Sequence, residues 1–366
     1  MRICYVCKAV DETSPTVATQ VRWIRSLAAH PQVEHVDVLT RTHGVAELPA
    51  NVTVRGFGTK GWLGTAAGFY RAALRMKPHD VDLFFVAQGG PYPALLLPLK
   101  VATKNPIYQW KAHPHISARM RFYARFCDDL IFTPTPGSFP LALDTVRVVG
   151  HGIDTGLFQL DEAPPTRDLA AVGRIAAVKR LDVAVEALAV CRDRFGLSLT
   201  LDIFGEPASK DQAHRLALGE LVDRLGLHEQ VRFLGAVDHA ELPGFLGRYR
   251  ATINFSTTAF DKAAGESMAV GVPVITANDC TTEMLPADLQ RHLAVRADDV
   301  TGVAATMREV VSWDDRTRAQ VGRRLRETIV NGHGLDSLFD KILSAIHAER
   351  KVVTSDTTGH GLPVGR

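Results

Sequence analysis

Short apolar runs alternate with longer amphipathic stretches along the first half of the chain. Such runs are typical of buried parallel strands, and the stretches between them are typical of helices. We predict strands at residues 2–10, 35–40, 52–57, 82–87, 106–110, 130–133 and 146–149. We predict helices from Ser14-Pro15-Thr16 to about Ala29 and at residues 63–76, 92–102 and 116–126. Strands that alternate with helices indicate a parallel, doubly wound sheet.

The same alternation returns after a proline-rich, acidic segment at residues 160–167, which has the composition of a linker. The predicted strands are 169–172, 199–204, 231–234, 251–255 and 272–276, and the predicted helices are 178–194, 212–225, 240–249, 262–270, 300–311 and 314–330. We therefore expect two Rossmann-like α/β domains, at residues 1–160 and 161–333, with a cleft between them. Residues 350–366 show no periodicity, and we expect a disordered tail.

Residues 254–276 combine a strand end, a loop, a short helix and the next strand. In a parallel sheet this order places the loop and the helix N-terminus at the carboxyl edge, where open α/β sheets bind ligands. The helix N-terminus suits an anionic group, and Glu266 offers acceptor oxygens to sugar hydroxyls nearby. Ordinary βαβ packing without a ligand also explains this segment when it is taken alone.

A second polar turn follows the first strand of the second domain. Gly173-Arg174 ends that strand, and Lys179 opens the next predicted helix. Arginine provides a fixed fork of donors and lysine a point charge, a combination that suits a diphosphate. Solvated cations at a helix start are the plain alternative. Because this turn and the turn at Gly265 and Glu266 end strands of one sheet, we expect a single anion site at their shared edge.

Composition narrows the function less than these turns do. A chain of 366 residues is long enough for two ordinary domains, and its net charge of +2 gives no argument for a nucleic-acid partner. No apolar run is long enough for a membrane-spanning helix, and the N-terminus is too short and too strand-like for a signal peptide. We expect a cytoplasmic protein, and the five scattered cysteines fit reduced thiols.

Three segments of the first half suggest other chemistry. Gly56-x-Gly58-x-x-Gly61 matches the dinucleotide fingerprint of hydride-transfer enzymes, but it follows the third strand rather than the first. Asp80 and Asp82 precede their strand, so we expect them at the wrong edge both for a ribose and for the metal that a D-x-D pair holds in one class of sugar transferases. Cys4 and Cys7 form a C-x-x-C, but an i, i+3 pair points to opposite faces of a strand.

Two further features of the first half involve its cleft and its surface. His113 and His115 follow a strand and face the expected cleft, where a structural histidine is the default and a ligand role for His113 is the alternative. In the predicted helix at 116–126, arginines alternate with aromatic residues. This pattern fits a solvated helix face, and peripheral contact with the inner face of a membrane is the alternative.

Five motifs between residues 149 and 275 are specific in combination. They are Val149-Gly150-His151-Gly152-Ile153-Asp154-Thr155-x-x-Phe158, then Val172-Gly173-Arg174 with Lys179 and Asp182, then Leu201 to Gly205, then Val231-x-Phe233-Leu234-Gly235-x-Val237, and finally Gly265-Glu266-Ser267-Met268-Ala269-x-Gly271-x-Pro273-Val274-Ile275. In this order they resemble the retaining glycosyltransferases of family 4, which have the GT-B fold. The resemblance covers about residues 146–345, whereas the first domain matches mainly in layout.

The resemblance implies a nucleoside-diphosphate sugar as donor and transfer with retention at the anomeric carbon. Arg174 and Lys179 would neutralise the leaving diphosphate, and Glu266 would bind the ribose hydroxyls. The resemblance also implies Gly205 and Val237 beside the base and His113 at the donor sugar. As further donor-binding residues we expect Gly173, Thr258, Asp261, Lys262, Gly265 and Ser267. The resemblance implies no metal and no other cofactor, since the two cations replace the metal. It also implies closure of the domains, which would exclude water, and a helix at residues 334–349 that crosses back to the first domain.

One departure from the family pattern bears on catalysis. The family commonly has two glutamates, the second at Glu266, but eight positions before it this chain has Thr258. Asp261 lies nearby, and Lys262 adds a positive charge to the same turn. Our leading hypothesis is a hexosyltransferase that acts on an unknown acceptor in the synthesis of cell-surface polysaccharide, glycolipid or small glycosides. A non-catalytic sugar-nucleotide-binding protein and a nucleotide-sugar epimerase are the alternatives.

Overall fold

The computed structural model describes residues 1–14, 17–58, 61–87 and 89–358 and has two parallel-sheet α/β domains, as predicted. The first domain contains β1 (Arg2–Val10), α1 (Ala18–Ala29), β2 (His35–His43), β3 (Val52–Gly56), α2 (Trp62–Met76), β4 (Leu83–Ala87), α3 (Tyr92–Thr103), β5 (Ile107–Trp110), α4 (Ala118–Phe126), β6 (Leu130–Thr133) and β7 (Val146–Val148). The second contains β8 (Arg167–Val172), α5 (Leu181–Phe195), β9 (Leu201–Phe204), α6 (Gln212–Leu225), β10 (Val231–Gly235), α7 (Leu242–Leu246), β11 (Tyr249–Asn254), α8 (Lys262–Val270), β12 (Val274–Thr276), α9 (Asp279–Thr282), α10 (Ala287–Leu293), α11 (Val300–Val311) and α12 (Asp315–His333). A last helix, α13 (Leu335–Thr358), follows.

The first sheet has seven parallel strands in the order β3-β2-β1-β4-β5-β6-β7. Helices cover both faces, which is why its central strands are largely apolar and β4 is buried along its whole length. On one face α1 and α13 pack together, with the Trp23 ring edge-on to Trp110 at 4.8 Å and to Phe339 at 5.9 Å. On the other face α2 and α3 form a separate apolar cluster that includes Phe69 and Leu96. Helix α13 therefore belongs to the core of the first domain.

The second sheet has five parallel strands in the order β10-β9-β8-β11-β12. Its apolar core draws on helices from both faces, and α5 packs on α11 while α8 packs on α12. The strand order reverses between β8 and β11, so the loops after these two strands lie side by side at the carboxyl edge. Ligands bind at such a reversal point in open α/β sheets. The turn after β8 and the loop before α8 therefore lie where the sequence analysis expects an anion site.

The chain passes between the domains twice, and the two passages run side by side. The backbone N–H groups of Gly152 and Ile153 donate to the carbonyl of His333 at 3.0 and 2.8 Å. The N–H of Leu335 then donates to the carbonyl of Ile153 at 2.7 Å. These bonds bring the segment after β7 and the start of α13 together at the base of the cleft.

Several predicted boundaries were wrong, although every predicted strand is present. The helix predicted at 178–194 begins only at Leu181, because Ala177–Lys179 forms a separate 3-10 turn. The helix predicted at 240–249 shortens to α7, and α9 and α10 were not predicted. Helix α13 continues to Thr358 rather than ending at 349, and no glycine or proline interrupts it. Residues 359–366 of the predicted tail, and Pro15 and Thr16 of the predicted start of α1, lie outside the described residues.

The competing features of the first domain are structural. The strand that carries Gly56 is the edge strand β3, and the backbone N–H of Arg2 donates to Asp82 at 2.8 Å, which places that carboxylate at the amino edge of the sheet. Cys4 and Cys7 are fully buried and belong to apolar clusters on opposite faces of β1. Burial raises the pKa of Cys7 to about 12, so this thiol stays protonated and unreactive at neutral pH.

Candidate active site

The turn after β8 carries the two cations that the sequence analysis selected. Lys179 ends the 3-10 turn, and its ammonium group forms an ion pair with the carboxylate of Asp261. Gly173 lies directly beneath this lysine, since a Cβ atom on Gly173 would lie 3.2 Å from Lys179 Nζ. Arg174 is half exposed, and its Nε lies 3.7 Å from Asp211 Oδ2, so it points away from the ion pair. Of the two cations, the structure brings only Lys179 to the loop before α8.

Asp261 ties the lysine to the N-terminus of α8. It is the N-cap of this helix, where its Oδ1 accepts a hydrogen bond from the N–H of Ala263 at 3.3 Å. Its Oδ2 accepts from Asn254 Nδ2 at 2.8 Å as well as from Lys179. One buried carboxylate therefore joins the end of β11, the start of α8 and the turn after β8.

A small pocket opens between the ends of the central strands. Its lining includes Gly173, Lys179 and Asn254 together with apolar side chains of β8, β9 and β11. The Oδ1 atom of Asn254 is buried and has no hydrogen-bond partner among the described residues. Buried polar atoms normally have a partner, so this oxygen is suited to accept from a ligand. The pocket thus combines a lysine, an unpaired acceptor and the start of a helix.

The loop between β11 and α8 is held by hydrogen bonds from two sides. The N–H of Thr257 donates to the carbonyl of Val178 at 2.9 Å, which fixes the loop to the lysine turn. Asn278 Nδ2 donates to the carbonyls of Ser256 and Thr258, both at 2.7 Å. The Thr258 side chain is exposed, and its hydroxyl bonds to Ser256 Oγ at 2.8 Å. Thr258 therefore provides a hydroxyl, and no carboxylate, at this point of the loop.

Glu266 is buried one helical turn into α8, and its carboxylate contacts the imidazole of His239 and the ammonium group of Lys262. Its Oε1 lies 2.6 Å from His239 Nε2 and 2.8 Å from Lys262 Nζ. Burial alone would raise the pKa of Glu266, but Lys262 and His239 outweigh it and lower the pKa to about 2. Glu266 is thus a carboxylate at neutral pH. Both contacts use Oε1, and Oε2 has no hydrogen bond among the described residues.

The other residues selected from the sequence lie around these groups. A Cβ atom on Gly205 would lie 2.1 Å from the carbonyl oxygen of Gly173, so only glycine lets the two turns meet. Gly265 is similarly enclosed, with Phe260 Cζ 2.8 Å from the position of its missing Cβ. Val237 is partly buried and packs against the apolar cluster of Phe204 and Tyr249. The Ser267 hydroxyl donates to the carbonyl of Ala263 at 2.9 Å and so stays within α8.

Residues of the first domain complete the cleft. Arg22 Nη1 lies 2.7 Å from His239 Nδ1, and Lys262 Nζ donates to Thr19 Oγ1 at 3.2 Å. Ser138 Oγ accepts from the backbone N–H of Phe260 at 3.2 Å. The carbonyl of Ser138 also accepts from the N–H of His113 at 2.6 Å, so His113 adjoins the loop that contacts α8. The His113 side chain is exposed and contacts none of the second-domain residues described above.

Two histidines, His333 buried and His151 half-buried, flank Phe260 at the base of the cleft. The His151 ring lies 5.3 Å from the Phe260 ring, and the His333 ring lies 5.6 Å from it on another side. Burial lowers the pKa of His151 to about 3 and that of His333 to about 4, so both rings are neutral at pH 7. They support the aromatic residue that precedes the N-cap of α8.

Sequence reasoning missed several residues that shape the site. They are Arg22, Asn254, His239, Asn278 and Ser138. Asn254 carried a detectable signal, because it is a polar residue at the end of an apolar strand. Ser138 and His239 lie in loops, Asn278 at a helix start and Arg22 within α1, and their importance comes from partners far away in the sequence.

The comparisons with known proteins agree with this geometry. Residues 166–312 match the family model described as "Glycosyl transferases group 1", and this segment contains the lysine turn, the pocket and Glu266. The second domain is a glycosyl transferases group 1 domain. Its family model ends one residue after α11 and does not include the first domain.

Curated relatives match part of the chain at low identity. A D-inositol 3-phosphate glycosyltransferase of Kribbella flavida is 30% identical over 58% of this chain and 53% of its own length. The corresponding protein of Salinispora tropica is 30% identical over 40% of this chain and 29% of its own length. The chain thus spans between about a third and about half of the length of these relatives.

The solved structure of Anabaena HepE in complex with UDP and glucose superposes with a TM-score of 0.74 at 16% identity, and covers 95% of this chain and 100% of its own. At this identity the likeness establishes the fold alone. Both domains and their mutual arrangement are those of the GT-B fold. Within the described residues, no helix is both long and apolar enough to cross a membrane.

Proposed function

We propose that this protein is a retaining glycosyltransferase that moves a hexosyl group from a nucleoside-diphosphate sugar to an acceptor bound by the first domain. The observation that carries the proposal is the convergence of Lys179, the N-terminus of α8 and Glu266 at one edge of the group 1 domain, facing the first domain. A diphosphate needs positive charge and N–H donors, and a ribose needs a carboxylate within reach. Retention of configuration rests on the family resemblance.

The residues of the cleft suggest how the leaving group is stabilised. As the bond between the sugar and the β-phosphate breaks, negative charge develops on the diphosphate. Lys179 would donate to it, the positive dipole end at the start of α8 would attract it, and Arg174 would turn from Asp211 toward the same charge. Glu266 would accept from a ribose hydroxyl through Oε2 while Oε1 stays bound to His239 and Lys262.

The domain arrangement would protect the reaction from water. Contacts of Thr19, Arg22 and Ser138 with the second domain close the cleft on the side of α8. A closed cleft favours transfer to the acceptor over hydrolysis of the donor. We further propose that transfer needs no metal ion, because Lys179 and Arg174 supply the charge that a metal supplies in other transferases.

The proposed acceptor and donor classes follow from the curated relatives and the structural neighbours. Relatives that act as D-inositol 3-phosphate glycosyltransferases make phosphorylated polyols reasonable first acceptors, and HepE makes UDP-sugars reasonable first donors. Cell-surface polysaccharide, glycolipid or glycoside synthesis remains the proposed pathway class.

Helix α4 exposes half of Phe122 and 63% of Phe126 beside Arg121 and Arg125, which supports peripheral contact with an anionic membrane. Co-sedimentation with anionic vesicles, lost in Phe126→Ser, would test that contact.

A transfer assay tests the proposed activity directly. Purified protein is incubated with UDP-, GDP- and ADP-sugars and a panel of polyol and glycan acceptors, and the anomeric configuration of the product is read by NMR. We expect a product of retained configuration, and a large loss of turnover in Arg174→Ala and Lys179→Ala. The matched control is Arg194→Ala, which removes an exposed arginine near the far end of α5. Near-normal turnover in both site variants would contradict the proposal.

A non-catalytic sugar-nucleotide-binding protein is the second candidate, favoured by one observation. The carboxylate that the family commonly has at the first glutamate is replaced by Thr258, and the nearest carboxylate, Asp261, is bound to Lys179 instead. This candidate predicts thermal stabilisation by a nucleotide sugar, with neither transfer nor hydrolysis over long incubation. Release of free sugar from the donor would be enough to exclude it.

A further inference from the structure

His239 connects the two domains through the buried carboxylate of Glu266. Its Nδ1 lies 2.7 Å from Arg22 Nη1 on α1 of the first domain, and its Nε2 lies 2.6 Å from Glu266 Oε1 on α8. The ring is 5.1 Å from the ring of Phe158, which is fully buried in the segment between the domains. His239 therefore sits where the first domain, the linking segment and α8 meet.

Hydrogen-bond chemistry assigns the tautomer of this ring. The guanidinium of Arg22 only donates, so His239 Nδ1 must accept, and the ring proton must lie on Nε2. From that position it donates to Glu266 Oε1. Only the neutral ring makes both contacts at once. Lys262 Nζ lies 3.0 Å from His239 Nε2 but donates instead to Glu266 Oε1 and Thr19 Oγ1.

The two ends of this chain of bonds have different consequences for Glu266. Contacts from His239 and Lys262 converge on Oε1, which fixes the plane of the carboxylate and leaves Oε2 without a hydrogen bond among the described residues. An anchored carboxylate binds a ligand hydroxyl without first losing its own rotational freedom. Arg22 is bound to the opposite side of the imidazole, so contact with the first domain holds the ring in the orientation that Glu266 needs.

We propose that His239 is a positioning residue that couples closure of the two domains to nucleotide binding, through the series Arg22–His239–Glu266. This inference rests on the proposed function, in which Glu266 accepts from the ribose. Closure places Arg22 against His239 and thereby fixes Glu266. By thermodynamic reciprocity, a nucleotide that occupies Glu266 favours the closed arrangement by the same factor.

Two isosteric substitutions of His239 separate its contact with Arg22 from its contact with Glu266. In His239→Asn the amide oxygen lies close to the position of Nδ1, so the variant keeps an acceptor for Arg22 and loses the donor to Glu266. In His239→Gln the amide nitrogen lies close to the position of Nε2, so the variant keeps the donor to Glu266. His239→Ala removes both. The matched control is His228→Ala, since His228 is exposed at the opposite edge of the second domain.

Calorimetric titration of the full chain with UDP, GDP and ADP measures the outcome. We expect His239→Ala to weaken binding of whichever nucleotide the wild type binds by about tenfold, the worth of one hydrogen bond to a charged group. We expect His239→Gln to recover much of that loss and His239→Asn to recover little. In turnover the change should fall on the KM for the donor more than on kcat, because the ribose contact is the same before and during transfer.

A double-mutant cycle tests the link to the first domain. Arg22→Ala should weaken nucleotide binding in the wild type and have no further effect in His239→Ala, although Arg22 is not expected to touch the nucleotide. Equal affinities for the Asn and Gln variants, or an additive cycle, would overturn the coupling while leaving the proposed function intact. A wild type that binds none of the three nucleotides or their sugars would overturn the proposed function, and this inference with it.

Discussion

The carboxylate of Asp261 forms an ion pair with Lys179, the lysine that the proposed donor diphosphate requires. The ion pair is part-buried, and the same carboxylate caps α8 and accepts from Asn254. A diphosphate that binds Lys179 must therefore compete with Asp261 for the ammonium group. Like charges near one site also repel, so Asp261 opposes binding of the diphosphate itself.

Asp261→Asn should therefore strengthen the binding of a nucleoside diphosphate. Asparagine remains a good N-cap, so α8 keeps its start while the competing charge disappears. We expect UDP, or the nucleotide that binds best, to gain severalfold in affinity by calorimetry. Asp288→Asn, which removes an exposed carboxylate paired with Arg324, should change nothing. Weaker binding in Asp261→Asn would mean that the carboxylate orients Lys179 rather than competing for it.

His151 and His333 give the protein an acid-sensitive core. Burial lowers both pKa values below the usual value near 6.5, to about 3 and about 4, so the unfolded chain binds protons that the folded chain does not. Their contribution to stability is complete above pH 6.5 and is lost as the pH falls toward those lower values. Each histidine should lower the free energy of unfolding by about 1.4 kcal/mol per pH unit in this window.

Chemical denaturation at pH 7, 6 and 5 checks this slope. We expect the wild type to lose stability progressively, and His151→Phe to remove about half of that dependence because the aromatic ring keeps its contacts without a titrating group. His228→Phe, at an exposed position, should leave the slope unchanged. A wild type whose stability is flat from pH 7 to 5 would show that these two rings are accessible to protons in the folded state.

At the scale of elements, the loop between β11 and α8 depends on a residue of the following segment. Asn278 donates to the carbonyls of Ser256 and Thr258, and its Oδ1 caps α9 by accepting from the N–H of Thr281 at 2.8 Å. The short helix α9 therefore fixes the shape of the loop that faces the donor sugar in the proposed function. Loop and helix act as one unit.

Asn278→Ser should separate these two roles. Serine caps a helix well, but its single short hydroxyl does not reach both carbonyls of the loop. We expect a loss of about 1 kcal/mol in stability or less from the cap, and a larger relative loss in the affinity for the donor sugar than for the free nucleotide. Thermal unfolding and titration with both ligands measure the two effects. An equal loss for both ligands would place the loop beside the nucleotide instead.

Elements were predictable from the sequence to a greater extent than contacts. Apolar periodicity located β11, α8 and β12, because a buried parallel strand and a short helix leave a clear local pattern. The turn at Gly173 could be predicted because it follows a strand. Glu266 could be predicted because it lies near the start of a helix. The helix predicted at 240–249 was too long. Pro243, Gly244 and Gly247 restrict α7 to five residues, and apolar periodicity does not detect such a restriction.

Partners across the fold could not be predicted. Lys179 and Asp261 are 82 positions apart, and Arg22 and His239 are 217 positions apart. Sequence spacing carries no information about such pairs, because they depend on which strands adjoin and how the two domains face each other. The resemblance to family 4 located Glu266, and Lys262 lies four residues before it on the predicted helix, a spacing that allows an ion pair. His239, the other group that holds Glu266, emerges only from the three-dimensional arrangement.

At the scale of the whole molecule, the charges of the cleft bear on metal dependence. Lys179, Arg174 and Lys262 all lie on the second domain near its carboxyl edge, and the first domain adds Arg22. We expect turnover with the preferred donor to be unchanged, within about twofold, after dialysis against EDTA, because in the proposed mechanism these cations supply the charge that the leaving diphosphate needs. Full restoration of a lost activity by Mg²⁺ or Mn²⁺ would contradict a metal-free mechanism.

The central claim is that the carboxyl edge of the second domain binds a nucleoside-diphosphate sugar through Lys179. The most direct measurement is the shift in thermal midpoint of the wild type, Lys179→Ala and Arg194→Ala across a panel of UDP-, GDP- and ADP-sugars. We expect one nucleotide class to stabilise the wild type and Arg194→Ala alike, and Lys179→Ala to need about ten times more ligand or more for the same shift. Stabilisation of the wild type by none of the panel, or equal stabilisation of Lys179→Ala, would contradict the claim.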